Sequence, residues 1–87
     1  MQERVRNLCG RIIAKYGRRA QADKCCEEMG ELSAALEHYK RGRCKEDEVV
    51  TEIADVMIVA AQMALYFGKE EVDAEINRKL EKLNQKL

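Results

Sequence analysis

Residues 54–67, ADVMIVAAQMALYF, constrain this chain more than any other stretch. Wound at 3.6 residues per turn, they are apolar nearly all the way round, interrupted chiefly by Asp55 and Gln62. A helix that is apolar on every side is buried on every side. Three short neighbours in a chain of 87 residues offer little surface with which to surround it. The economical solution is a second subunit on its other face, the alternative being that the three other helices cover it alone. The expected architecture is therefore all-α: an antiparallel bundle of about four helices, completed by homo-oligomerisation as a homodimer or homotetramer.

Composition supports the helical reading. Proline is absent, glycine numbers five, and 37% of residues are charged against 46% apolar, which favours helices over sheet. Residues 1–87 read as a single domain, with no low-complexity linker and no clear internal repeat. Lys plus Arg and Asp plus Glu are 16 each, so no net basic charge argues for a nucleic acid polymer as partner. The N-terminus, MQERVRNLCGRIIAKYG, lacks the apolar run of a secretion signal. Residues 54–67 are too short and too polar to span a bilayer. A soluble, cytoplasmic protein with no membrane partner is expected. Cys9, Cys25, Cys26 and Cys44 form no C-x-x-C pair, and His38 is the only histidine, so reduced structural thiols are expected instead of a zinc site.

Periodicity predicts helices over about 2–15, 21–40, 48–67 and 70–87. Gly17, Gly42 and Gly68 stand at the stops, and Asp47 is a candidate N-cap. The expected apolar stripes are Val5, Leu8, Ile12 and Ile13 on the first helix and Cys25, Met29, Leu32 and Leu36 on the second. Val72, Ile76, Leu80, Leu83 and Leu87 form that of the fourth. The loop 41–46 is short, which makes the second and third helices antiparallel neighbours.

That pairing matters because both helices carry paired acids. Glu28 and Glu31 are three residues apart in CCEEMGEL, beside the apolar stripe and not opposite it; Glu52 and Asp55 repeat the spacing in TEIAD. Asp55 opens the apolar run and is expected to be substantially buried. An unpaired buried carboxylate costs several kcal/mol or takes up a proton, so a compensating cation is required. No Lys or Arg near Glu52 and Asp55 on the third helix supplies it. Two such pairs on adjacent antiparallel helices can converge into an oxygen-ligand site suited to Mg²⁺, with Mn²⁺ as a substitute. On spacing alone, ordinary helix-surface acids would look the same. Gln62 lies seven residues after Asp55, on the same stripe; as a buried amide it needs partners, supplied by a base or ribose or by a neighbouring helix across an oligomer. Gln21 is the other candidate for nucleotide contact. His38 is expected to be exposed.

EEMGEL followed by EIADV resembles the E-E-x-x-E … E-x-x-D signature of the MazG-like, all-α nucleoside triphosphate pyrophosphohydrolases. YGRRAQADKCCEEMGELSAAL, RGR, EIADVMIVAAQ and KLEKL fall in the order and spacing of small MazG-like proteins, from Tyr16 to Leu87. The resemblance implies a Mg²⁺-dependent hydrolysis of a nucleoside or deoxynucleoside triphosphate to its monophosphate and pyrophosphate. It implies Glu28, Glu31, Glu52 and Asp55 as metal ligands, with Glu28 and Glu27 at the catalytic centre, Glu27 orienting water or a second metal. It also implies phosphate contact near Lys79 and Lys82, which share a helix face with Lys86; a solvated lysine face fits the same spacing. The phosphoribosyl-ATP pyrophosphohydrolases have a similar acidic motif, but they usually carry an aromatic–His pair after the motif Asp, where this chain has VMIVAA. A di-iron bundle would need E-x-x-H, and Ala35 precedes His38. A non-catalytic helical interaction module is the reading from a different class.

Overall fold

A computed structural model describes residues 3–87. Four helices follow in order: α1 Glu3–Tyr16, α2 Arg18–Lys40, α3 Glu46–Phe67 and α4 Lys69–Lys86, with no strand among the described residues. The start of the first predicted helix at residue 2 lies outside the described residues. The breaks are tighter than periodicity suggested. Gly17 alone separates α1 from α2: its φ of 84° turns the chain out of the helical region, its N–H donates to the Ile13 carbonyl, and its own carbonyl accepts from Gln21. Gly68 likewise forms the whole of the α3–α4 connection.

The start of α3 differs from expectation. Lys45, in extended conformation, is the N-cap and makes no side-chain capping hydrogen bond. Asp47 lies inside the first turn with Glu46 and Glu48. There three acids face the positive end of the helix dipole, which stabilises the start without a cap. Helix α3 is also 22 residues long, and by length and apolar composition it could cross a membrane, contrary to the expectation from the shorter apolar run. The difference arises because the helix begins well before that run.

The helices pack unequally. Most of the contact is between α2 and α3, α1 leans mainly on α3, and α4 touches α3 alone. Helices α2 and α3 are antiparallel, as the short loop requires. Arg18 stacks on the Tyr66 ring at 3.9 Å at one end, and Tyr39 donates to Glu46 at 3.4 Å at the other.

What this packing buries is unusual. Among the described residues the buried apolar ones are Cys9, Cys25 and Val59, and they are matched by three polar ones, Gln21, Glu28 and Gln62. The expected stripe of α2 is therefore rotated. Gln21, Cys25 and Glu28 face α3, with Leu32 and Ala35 half-buried below them, while Met29 and Leu36 face out. On α1, Cys9 goes inside and Leu8 outside. On α4, Ile76, Leu80 and Leu83 all remain exposed. The apolar run of α3 is only partly covered by its own chain: Met57, Ile58 and Phe67 are exposed, as are Val50 and Ile53 just before it.

Candidate functional site

The rotation of α2 brings its acids to α3. Side-chain oxygens of Glu28, Glu31 and Glu52 all lie within 4.8 Å of one another. A spacing of three residues places Glu28 and Glu31 on adjacent rungs of α2, and antiparallel packing sets Glu52 against both. Glu28 is only 7% exposed, and its Oε2 is buried without a hydrogen-bond partner; so is the Oε2 of Glu52. Each is the kind of orphaned acceptor that folded proteins rarely leave inside.

Two features show how the chain bears this concentration of charge. Glu31 has its pKa raised, first by the hydrogen bond it shares with Glu28, then by the charge of Glu28, by desolvation and by the charges of Glu52 and Glu27. Adjacent carboxylates repel one another when ionised, a cost that a cation placed among them would offset. Lys24, one turn before Glu28, lies 3.1 Å from Glu28 Oε1 and 3.8 Å from Glu27 Oε1. Its own pKa is raised, chiefly by the hydrogen bond to Glu28 and then by Glu27. Sequence reasoning missed Lys24, although the i,i+4 spacing was there to be read. The Lys24 ammonium still leaves the inner oxygens of Glu28 and Glu52 without partners.

The structure places the other candidate residues as follows. Glu27 is on the outer side of α2, exposed beside Lys24. Asp55 is half-buried, not substantially buried, and its carboxylate stands outside the three-glutamate group. It lies one turn further along α3, rotated about 60° from Glu52, towards a cavity instead of towards Glu31. Lys79 and Lys82 are not brought to the carboxylates within this chain, because α4 packs on neither α2 nor α1.

Asp55 and Glu28 form part of the wall of a cavity of about 600 Å³ between α1, α2 and α3. Gln21 and Gln62 line it too, with Ile12, Tyr16, Ile58 and Val59 supplying an apolar wall. The two candidate glutamines are thus brought to one cavity beside the acids. Gln62 is 3% exposed and its Oε1 has no partner. Its amide also lies beside Cys9, whose thiol pKa is raised by burial and partly lowered again by Gln62.

A second cavity of about 450 Å³ opens on the other side of the acids, lined by Glu31, Glu52, His38, Cys44, Glu48 and neighbouring residues of α2 and α3. His38 is exposed, as expected, but on the rim of this cavity. The Cys44 thiol is pushed up to about 11, mainly by its hydrogen bond with Glu48, which keeps it protonated and a poor nucleophile near neutral pH. The acids therefore form a partition between an amide-bearing, mostly apolar cavity and a more polar one. Comparisons with protein-family models, with curated proteins and with solved structures find no match to this chain.

Proposed function

We propose that the glutamate cluster holds Mg²⁺, or Mn²⁺ in its place, and that the protein hydrolyses a nucleoside or deoxynucleoside triphosphate to the monophosphate and pyrophosphate. The observation that carries this reading is the convergence of Glu28, Glu31 and Glu52 within 4.8 Å, with two buried oxygens left without partners. An all-oxygen, multiply anionic donor set suits a hard divalent ion and does not suit a soft one. When bound, the ion supplies charge neutralisation for the triphosphate and acidifies water for attack at phosphorus.

The chain's own residues have distinct parts in this reading. Glu28 and Glu52 offer their inner oxygens as ligands, and Glu31 joins them as the third carboxylate of the group. Lys24 keeps Glu28 oriented from the solvent side. Glu27, one position before Glu28 and open to water, shares Lys24 with Glu28 and would assist from the solvent side. Asp55, on the cavity wall next to Glu28, is the fourth acid, within reach of a ligand or its hydration shell. The nucleoside occupies the 600 Å³ cavity, whose volume lies in the range of small-molecule pockets and whose apolar wall suits a base. Gln21 and Gln62 supply amide donors and acceptors there, enough to orient a base or ribose.

Pyrophosphate release measured across the eight common NTPs and dNTPs, with Mg²⁺ and with chelator, tests the proposal. Metal-dependent release with one preferred nucleotide is the expected result. Silence on all eight, in a folded protein that still binds Mg²⁺ by calorimetry, would point to phosphoribosyl-ATP or another unusual nucleotide. Silence together with no Mg²⁺ or Mn²⁺ binding at millimolar concentration would favour the non-catalytic module.

A further inference from the structure

The acids and the amides that line the larger cavity stand in one register. Antiparallel packing sets Glu31 against Glu52, and the same alignment carried along both helices sets Glu28 against Asp55 and Gln21 against Gln62. Arg18 over the Tyr66 ring, at 3.9 Å, continues it to the end of the pair. Each glutamine is two turns from the acid on its own helix, about 10 Å at 1.5 Å per residue. The cavity therefore has a carboxylate end and an amide end, with Ile58 and Val59 between them on α3. With a metal and phosphates at the first end, the second lies a ribose's length away, where a base belongs.

At the amide end, Gln62 is held in one orientation. It is buried, and its Oε1 is an acceptor with no partner. Next to its amide lies Cys9, buried on α1 and not part of the cavity wall. Burial raises the pKa of that thiol, and the hydrogen bond with Gln62 lowers it. Only a donor favours the thiolate, so the amide turns its N–H end to the sulfur. Rotating the amide would exchange its two ends and break that bond. What Gln62 has left for a ligand is an acceptor.

We propose that Gln62, held by Cys9, selects the base: its Oε1 accepts a hydrogen bond from an exocyclic amine, as on cytosine or adenine. The amine adds a substrate class to the nucleotide reading above, on which it rests. It brings N–H donors to a buried acceptor and supplies the missing bond. The oxo counterpart, uracil or hypoxanthine, brings a carbonyl oxygen to the same point. Two acceptors then face each other with no proton between them. The ring N–H of such a base stands beside that carbonyl, so shifting the base to use it keeps the two oxygens close. A site of this kind rejects the mismatched base because its own polar atom stays unpaired.

Calorimetric binding of α,β-methylene triphosphates, which cannot be cleaved between the α and β phosphorus atoms, tests the base separately from the reaction. The pairs are cytidine against uridine and adenosine against inosine, each with Mg²⁺. In at least one pair the wild-type chain binds the amino member at least about 10-fold more tightly. Gln62→Leu removes most of that difference. Cys9→Ala frees the amide to turn, so the oxo member gains affinity. Cys9→Ser, whose hydroxyl again accepts the amide N–H, keeps the wild-type preference. A part for Cys9 in packing alone would not raise the affinity for one base. No difference within either pair, a preference that survives Gln62→Leu, or a Cys9→Ala variant that discriminates like the wild type would each overturn the proposal. Failure of the underlying reading looks different. Mg²⁺ binding without discrimination removes the amine alone, and no Mg²⁺ binding removes both. Amine-selective binding without pyrophosphate release from the natural nucleotides upholds the base site and removes only the hydrolysis.

Discussion

The two sides of α3 reverse the usual arrangement of a soluble helix. The side facing α1 and α2 carries Glu52, Asp55 and Gln62 and encloses oxygen atoms with no partner. The side facing away carries Val50, Ile53, Met57 and Ala60. A lone helical hairpin optimised for stability would place these sets the other way round, since burying unpaired polar atoms costs free energy and burying apolar area gains it. The inversion has a simple meaning if the inner side is a binding site and the outer side a seam. In that reading a ligand would relieve the instability inside, and a second chain the exposure outside.

The comparison is broken most directly by substituting one side at a time. Glu52→Gln and Glu31→Gln are expected to lower metal-dependent turnover by at least about 100-fold, with the sedimentation coefficient and helical circular dichroism unchanged. Met57→Ser should do the reverse, loosening the assembly with the metal affinity of the cluster retained. If Glu52→Gln changed the oligomeric state and left activity intact, the assignment of the two sides would be wrong. Asp55→Asn sharpens the inner side: standing outside the three-glutamate group, it should cost about 10- to 100-fold, the range of a group that orients a ligand. A loss as large as that of Glu52→Gln would make Asp55 a direct ligand after all.

Mg²⁺ should stabilise the protein markedly against denaturant. At a hundredfold excess over its dissociation constant the gain is about 2.7 kcal/mol, and it should vanish in Glu31→Gln if that residue is a ligand. A smaller effect is expected from Gln62→Leu. Removing a buried amide oxygen with no partner should leave the free protein unchanged or more stable by about 1 kcal/mol, while KM for the preferred nucleotide rises. An unchanged KM would separate the cavity from nucleotide binding.

The smallest effect is one of pH. The folded-state pKa of Glu31 is raised above its ordinary 4.5. A group with a raised folded pKa binds its proton more tightly when folded, so its contribution is full below the unfolded pKa. It is lost as pH rises through the folded value. In chelator, the denaturation midpoint should therefore fall as pH climbs upward from about 4.5, and Glu31→Gln should flatten that slope. Saturating Mg²⁺ should flatten it too, by favouring the ionised carboxylates that ligate it.

Much of this could be read from the chain itself. The helices and their glycine stops follow from apolar periodicity and from a backbone that leaves the helical region at Gly17 and Gly68. Antiparallel packing of α2 on α3 follows from a short loop, and that packing with E-x-x-E on one helix and E-x-x-D on the other suffices to forecast a meeting of acids. The exposed surplus on α3 was the expected outcome too, because three short helices in a chain of 87 residues offer little surface with which to enclose it.

Tertiary structure decided what periodicity leaves degenerate. Helix α2 has two overlapping stripes, one through Met29 and Leu36 and one through Gln21, Cys25 and Glu28, and a rotation of about 60° exchanges them. Only the packing against α3 selects the second, and with it buries Glu28, leaves Glu27 in water, and engages Lys24. The same packing sets Asp55 apart from its three companions and brings Gln21 and Gln62 to one cavity. A sequence determines which side chains share a helical face, because that depends on local geometry alone. Which of two adjacent faces turns inward depends on the surface it meets, and that surface exists only once the helices have come together.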